Sequence, residues 1–144
     1  MAKWQSGKAM EDGDPAKIRT FRDLLVWQRG MDLTRAIYRE TARMPKAKLF
    51  GLTSQMRRAA SSVPMNISEG FGKHTRPEFI RGLRMAMGSL CELQTAYELA
   101  TSMHMIEPSS NVLDLLAEEY RMLQALIMKL QAKTRAEQQR SRKK

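Results

Sequence analysis

Apolar residues recur every three or four positions through four stretches of the chain, and each stretch predicts a helix. The first runs from about Phe21 to Arg43. Leu24, Trp27, Met31 and Tyr38 form one apolar stripe, and Val26, Leu33 and Ile37 form a second beside it. Together they cover close to half of the helix circumference, more than the ~100° face of an ordinary surface helix. Either this helix is deeply packed, or part of the arc meets another subunit. Arg29, Asp32, Arg35 and Arg39 fill the opposite side. Thr20 followed three residues later by Asp23 is a capping box, with Asp in place of the usual Glu or Gln. Pro45 then breaks the pattern.

The second helix is expected from Leu52 to Phe71, with Leu52, Met56, Ala59, Val63 and Ile67 as its apolar stripe. Pro64 sits inside it and predicts a kink, because proline removes a backbone hydrogen bond and crowds the preceding turn. Ser61 and Ser62 are placed to satisfy the freed carbonyls, and Gly70 and Gly72 mark the end. The third helix opens with Thr75 as N-cap, Glu78 completing a capping box and Pro77 in the first turn. Phe79, Leu83, Ala86, Leu90, Leu93, Tyr97 and Ala100 alternate spacings of four and three, a heptad seam. Gly82, Ala86, Ser89, Ala96 and Ala100 keep one flank small, so that another helix can come close. Pro108, Ser109, Ser110 and Asn111 open the fourth helix, whose stripe is Val112, Leu116, Leu123, Ile127 and Leu130. Glu119 interrupts that stripe. It lies either at a frayed margin or buried against an arginine, for which Arg58 is the candidate. Short connectors between four such helices favour an all-α, antiparallel up-down-up-down four-helix bundle over residues 20–131. Residues 1–19 read as a disordered extension, and residues 132–144 as a basic tail.

Charge changes the picture. The net charge of +10 and isoelectric point near 10.2 point to a polyanionic partner, nucleic acid or an acidic membrane surface. Half of the excess sits in residues 131–144, which hold six Lys or Arg against one Glu. The residues placed to meet phosphates are Arg35, Arg39, Arg57, Lys73, Arg76, Arg81, Arg84, Lys133, Arg135, Arg140, Arg142, Lys143 and Lys144. Such contacts are salt-sensitive and blind to sequence. Aromatics are 6% of the chain and no RNA-recognition motif is present, so base stacking is a poor candidate mechanism. No apolar run approaches the ~20 residues of a membrane span, and the N-terminus lacks a signal-peptide core. A cytoplasmic protein without membrane association is the simplest reading.

Catalytic patterns are missing. There is no Gly-rich phosphate loop, metal-ligand spacing or nucleophile–base order. The lone Cys91 forms no internal disulfide, and His74 and His104 read as surface residues near helix ends. A non-enzymatic protein with no cofactor and no metal is expected.

One constellation remains. Gln55, Arg58, Ser62, Asn66 and Glu69 follow helical spacing along the border of the second helix's apolar stripe. They are either ordinary rim, or a hydrogen-bonded seam against Ser89 and Glu92 of the third helix that sets register or joins two subunits. The spacing does not choose.

Three stretches, "FRDLLVWQRGMDLTRAIY", "LFGLTSQMRRAASSVPMNISEGFG" and "EFIRGLRMAMGSLCELQTAYELA", together resemble the 23S rRNA intervening-sequence, or S23-type four-helix-bundle, family. The resemblance covers Phe21 to Ile106 and extends weakly to Leu130. Its signature residues here are Phe21, Leu24, Trp27, Gly51, Leu52, Gln55, Arg58, Ser62, Pro64, Asn66, Ile67, Glu69, Gly70, Gly88, Ser89, Glu92 and Leu93. Met87 stands where the family commonly has a basic residue. The resemblance implies a homopentameric barrel of four-helix bundles and kinship with the accessory variability determinant of diversity-generating retroelements. It thereby implies a basic nucleic-acid-binding accessory protein working with a reverse transcriptase. Two alternatives stand beside it: a stand-alone intervening-sequence protein, and a structural assembly whose positive charge is incidental. It also implies that the polar line on the second helix is structural, at or near a protomer interface.

Overall fold

The computed structural model describes residues 18–44 and 49–143, and among them are four α-helices and no strand. These are α1 (Leu25–Thr41), α2 (Ser54–Gly72), α3 (Arg76–Ser102) and α4 (Ser110–Arg142). The sequence readings on residues 1–17, Pro45 and Lys144 lie outside the described residues.

The Thr20 capping box forms, but around a different element. The Thr20 hydroxyl accepts the Arg22 N–H at 3.1 Å, and the Asp23 carboxylate accepts the Thr20 N–H at 3.1 Å. What they cap is a 3-10 turn, Phe21–Asp23, and the extended Leu24 separates it from α1. The first helix therefore starts later than its apolar spacing suggests. A π-helical turn, Leu49–Thr53, likewise precedes α2.

One hydrophobic core collects residues from all four helices, and α1 and α3 each pack against both α2 and α4. Most of the expected stripes are inside. In α1, Val26, Trp27, Leu33, Ala36 and Ile37 are buried, whereas Tyr38 is 45% exposed, with the Arg57 guanidinium 4.7 Å above its ring. The α3 seam from Leu83 to Ala100 is buried throughout, with Phe79 half-buried at its start. In α4, Val112, Leu116, Leu123 and Leu126 are buried, while Ile127 and Leu130 are half-buried. Glu119 is fully buried, so its place in the stripe is a core position, and Arg58, its expected partner, is exposed.

Pro64 lies within a continuous α2 and leaves the Ala60 carbonyl without its helical donor. The donor within reach is on another helix: the Thr34 hydroxyl of α1 lies 3.0 Å from Ala60 O and 2.8 Å from Gly30 O, so its one proton is shared between the two acceptors. Ser61 and Ser62, expected in this role, both donate to Arg58 O instead. Gly30 makes the approach possible, since a Cβ there would stand 3.5 Å from the Pro64 ring and 3.1 Å from Glu119 Oε2.

α2 and α3 touch backbone to backbone. A Cβ on Gly82 would stand 2.6 Å from Asn66 O and 2.8 Å from Gly70 Cα, and one on Gly70 would stand 2.9 Å from Gly82 Cα. Only glycine fits at either position. The α2–α3 connector is three residues, with His74 at φ 62° and Thr75 extended, its side chain accepting the Glu78 N–H. Tyr97 anchors the next connector: its hydroxyl accepts the Ser109 N–H at 2.7 Å, and burial raises its pKa. Ser109 in turn caps α4 through the Val112 N–H. The segment set apart in sequence as a basic tail is the final stretch of α4, helical to Arg142.

Candidate nucleic-acid interface

Most of the basic side chains singled out in the sequence face solvent, but the structure sorts them. Arg57 is internal bracing: its Nε donates to Thr41 Oγ1 at 2.8 Å and its guanidinium reaches Tyr38 O, tying α2 to the end of α1. Arg35 pairs with Asp32 at 2.9 Å, and Lys73 with Glu78 at 3.6 Å. Arg39, Arg81, Arg84, Lys133, Arg135, Arg140, Arg142 and Lys143 are exposed.

Arg76 makes a two-point ion pair. Its two terminal nitrogens donate to the two Glu137 oxygens at 2.7 and 3.0 Å, a bidentate fork between the start of α3 and the far part of α4. The hydrogen bonds from Arg76 hold the Glu137 carboxyl below its usual range, and Lys133 and Arg140 add to the effect. The same pairing raises the Arg76 pKa. The single acid of this basic stretch is thus already engaged, and its cations remain turned outward.

Beside that fork lies a cleft of about 370 Å³. Ile18, Leu24, Phe71, Phe79, Leu126 and Leu130 make its apolar wall, Arg76, Lys129 and Lys133 carry the charge at it, and His74 also lines it. Phe71 closes α2 and Phe79 opens α3, and their rings meet edge to face at 5.4 Å. The sequence reading did not single out this cleft or Lys129. Its one legible signal was a lysine pair, Lys129 and Lys133, one helical turn apart on α4.

The polar line of α2 runs along the α2–α3 edge. Arg58, Glu69 and Glu92 are exposed, and Gln55, Ser62, Asn66 and Ser89 are half-buried. Its shortest bonds stay within α2: Ser62 Oγ donates to Arg58 O and Asn66 Nδ2 to Ser62 O, both at 2.8 Å. Gln55 Nε2 reaches across to Glu92 Oε2 at 3.5 Å, a weak contact. Asn66 and Glu69 also border a small cleft of about 90 Å³ with Lys73, Glu78, Arg81 and Met85. Met85, which lines that cleft, is 51% exposed, and Met65 of α2 is 65% exposed. Leu113, Tyr120 and Met128 form an exposed apolar stripe on α4.

Among the described residues, no group of three or more His, Cys, Asp or Glu could hold a metal ion, and no helix is long and apolar enough to cross a membrane. No curated protein matches the chain. The family model for the 23S rRNA-intervening sequence protein does match, over residues 22–129. That span takes in α1, α2, α3 and most of α4, including the polar line, the two-glycine contact and Lys129 of the cleft, so the chain belongs to the 23S rRNA-intervening sequence protein family.

Proposed function

We propose that this protein is a non-enzymatic, cytoplasmic accessory factor that binds RNA or DNA through the phosphate backbone and works as a homo-oligomer. The observation that carries the reading is the far part of α4. Lys133, Arg135, Arg140 and Arg142 are exposed there along one continuous helix and Lys143 at its C-cap, and the one carboxylate among them is held by Arg76. Electrophoretic shift or anisotropy measurements on RNA and DNA 20-mers across a salt series test it. Deleting residues 133–144 removes six basic groups and should lower the slope of log affinity against log salt by up to about four for single strands. The deletion begins past Leu130, so the core stays intact. Absence of binding by the full chain at low salt would make the charge incidental.

The assembly we propose is a pentamer of antiparallel up-down-up-down bundles. Contacts between opposite ends of α2 and α3, Gln55 with Glu92 and Gly70 with Gly82, support the antiparallel reading. Two unlike exposed apolar surfaces, the methionines Met65 of α2 and Met85 of α3 and the α4 stripe of Leu113, Tyr120 and Met128, suit a head-to-tail ring. The family resemblance supplies the number five. A reverse transcriptase is the protein partner that the resemblance implies, and co-purification of tagged protein with such an enzyme tests it.

A further inference from the structure

The cleft beside the Arg76–Glu137 fork shares Lys133 with the backbone reading above, but its apolar wall has no part in backbone binding. We infer that it takes a nucleobase of a single-stranded nucleic acid, with the adjoining phosphates on Lys129 and Lys133. The inference rests on the nucleic-acid reading and names a site within it.

Three observations carry it. The first is size and lining: about 370 Å³ with a wall of Leu24, Phe71, Phe79, Leu126 and Leu130, which is the range and character of a small-molecule site. The second is aromatic surface. Phe71 and Phe79 are both half-buried and in edge contact, so ring area remains at the cleft for a flat partner. The third is the charge pattern. Lys129 and Lys133 are exposed one turn apart along α4, and Arg140 follows two turns beyond Lys133. A row of cations matches a chain of phosphates, whereas the single carboxylate of an acyl anion needs only one. Low aromatic content argued against a stacking surface spread over the protein. It does not argue against one pocket built from two phenylalanines that a three-residue turn brings together.

The test is anisotropy with labelled oligouridine and abasic 12-mers of equal length and charge, at one low salt concentration. The abasic strand should bind roughly ten-fold more weakly. Phe79→Leu, which keeps volume but removes the ring, should erase that difference and leave abasic binding unchanged. Lys133→Gln should weaken both strands. Circular dichroism checks that Phe79→Leu is folded. If it is not, photocrosslinking of a 4-thiouridine 12-mer to the wild-type chain decides: adducts within 71–79 or 126–133 support the site, and adducts confined elsewhere overturn it. Equal binding of both strands by wild type overturns the base site while the backbone reading stands. Binding of neither strand removes both. Displacement of oligouridine by decanoate at the cleft, with no preference for bases over the abasic strand, would make the occupant an acyl anion and overturn the proposal.

Discussion

Thr34 Oγ1 lies 3.0 Å from the Ala60 carbonyl oxygen, the acceptor that Pro64 leaves without a donor in its own helix. Ala60 is buried, so water has poor access to that oxygen. Replacing Thr34 with Val keeps the shape and removes the hydroxyl, and should cost about 1–3 kcal/mol in a denaturant melt. Pro64→Ala restores a helical N–H to Ala60 O. In that background the Thr34→Val loss should shrink, and a double-mutant cycle isolates the coupling. Additive losses would show that Thr34 stabilises the fold by another route, such as its bond to Gly30 O.

The two glycines at the α2–α3 contact should be the least replaceable. At Gly82 the obstacles are backbone atoms at 2.6 and 2.8 Å, which cannot swing aside as a side chain can. Gly82→Ala should destabilise by about 1–3 kcal/mol or more through overpacking. Gly88, also in α3, has nothing within 4 Å of an added Cβ and is exposed. Gly88→Ala should stabilise the isolated fold by about 0.4–1 kcal/mol. Thermal melts give the comparison. A drop in oligomer mass for Gly88→Ala, with the fold retained, would place this family-signature glycine at an interface.

Surface substitutions separate interface from rim. Met65→Glu, Met85→Glu and Glu69→Ala alter exposed groups, and each should change protomer stability by less than about 0.5 kcal/mol. Light scattering after size exclusion should show dissociation for the two Met variants and for Tyr120→Glu on α4. Dissociation by the α2–α3 variants but not by Tyr120→Glu would indicate a self-complementary contact in place of a ring. A wild-type monomer would remove the assembly proposal.

The Arg76–Glu137 fork predicts a local pH dependence. The Glu137 pKa is lowered in the folded chain, so the unfolded state binds the proton more readily. The contribution is therefore full above the ordinary Glu value of about 4.5 and fades as pH falls through the lower folded value. Amide protection factors in residues 134–142, taken relative to intrinsic exchange at each pH, should fall over that acid window and with added salt, because the pair is open to solvent. Arg76→Gln should lower these protection factors already at neutral pH and remove their further fall in acid.

The helix pattern was legible in the sequence because burial on a helix imposes its own period. The seam from Leu83 to Ala100, the second α1 stripe and the cap at Thr75 need only neighbours along one chain, and each is where the spacing puts it. So was the family, through the order of residues such as Gln55, Pro64, Asn66 and Glu69. What needed tertiary structure was every choice among partners in space. Helical spacing puts Glu119 on an apolar face, but only its packing beside Gly30 of α1 decides that the position is buried. Pro64 announces a missing hydrogen bond, yet the donor is Thr34, far away in the chain, and not the adjacent serines. Tyr38 fits an apolar stripe but lies at its exposed margin, beneath Arg57. The cleft was the least legible feature. Its wall comes from Leu24, Phe71, Phe79 and Leu126, which belong to four separate stretches of chain, and a one-dimensional pattern carries no distance between such stretches.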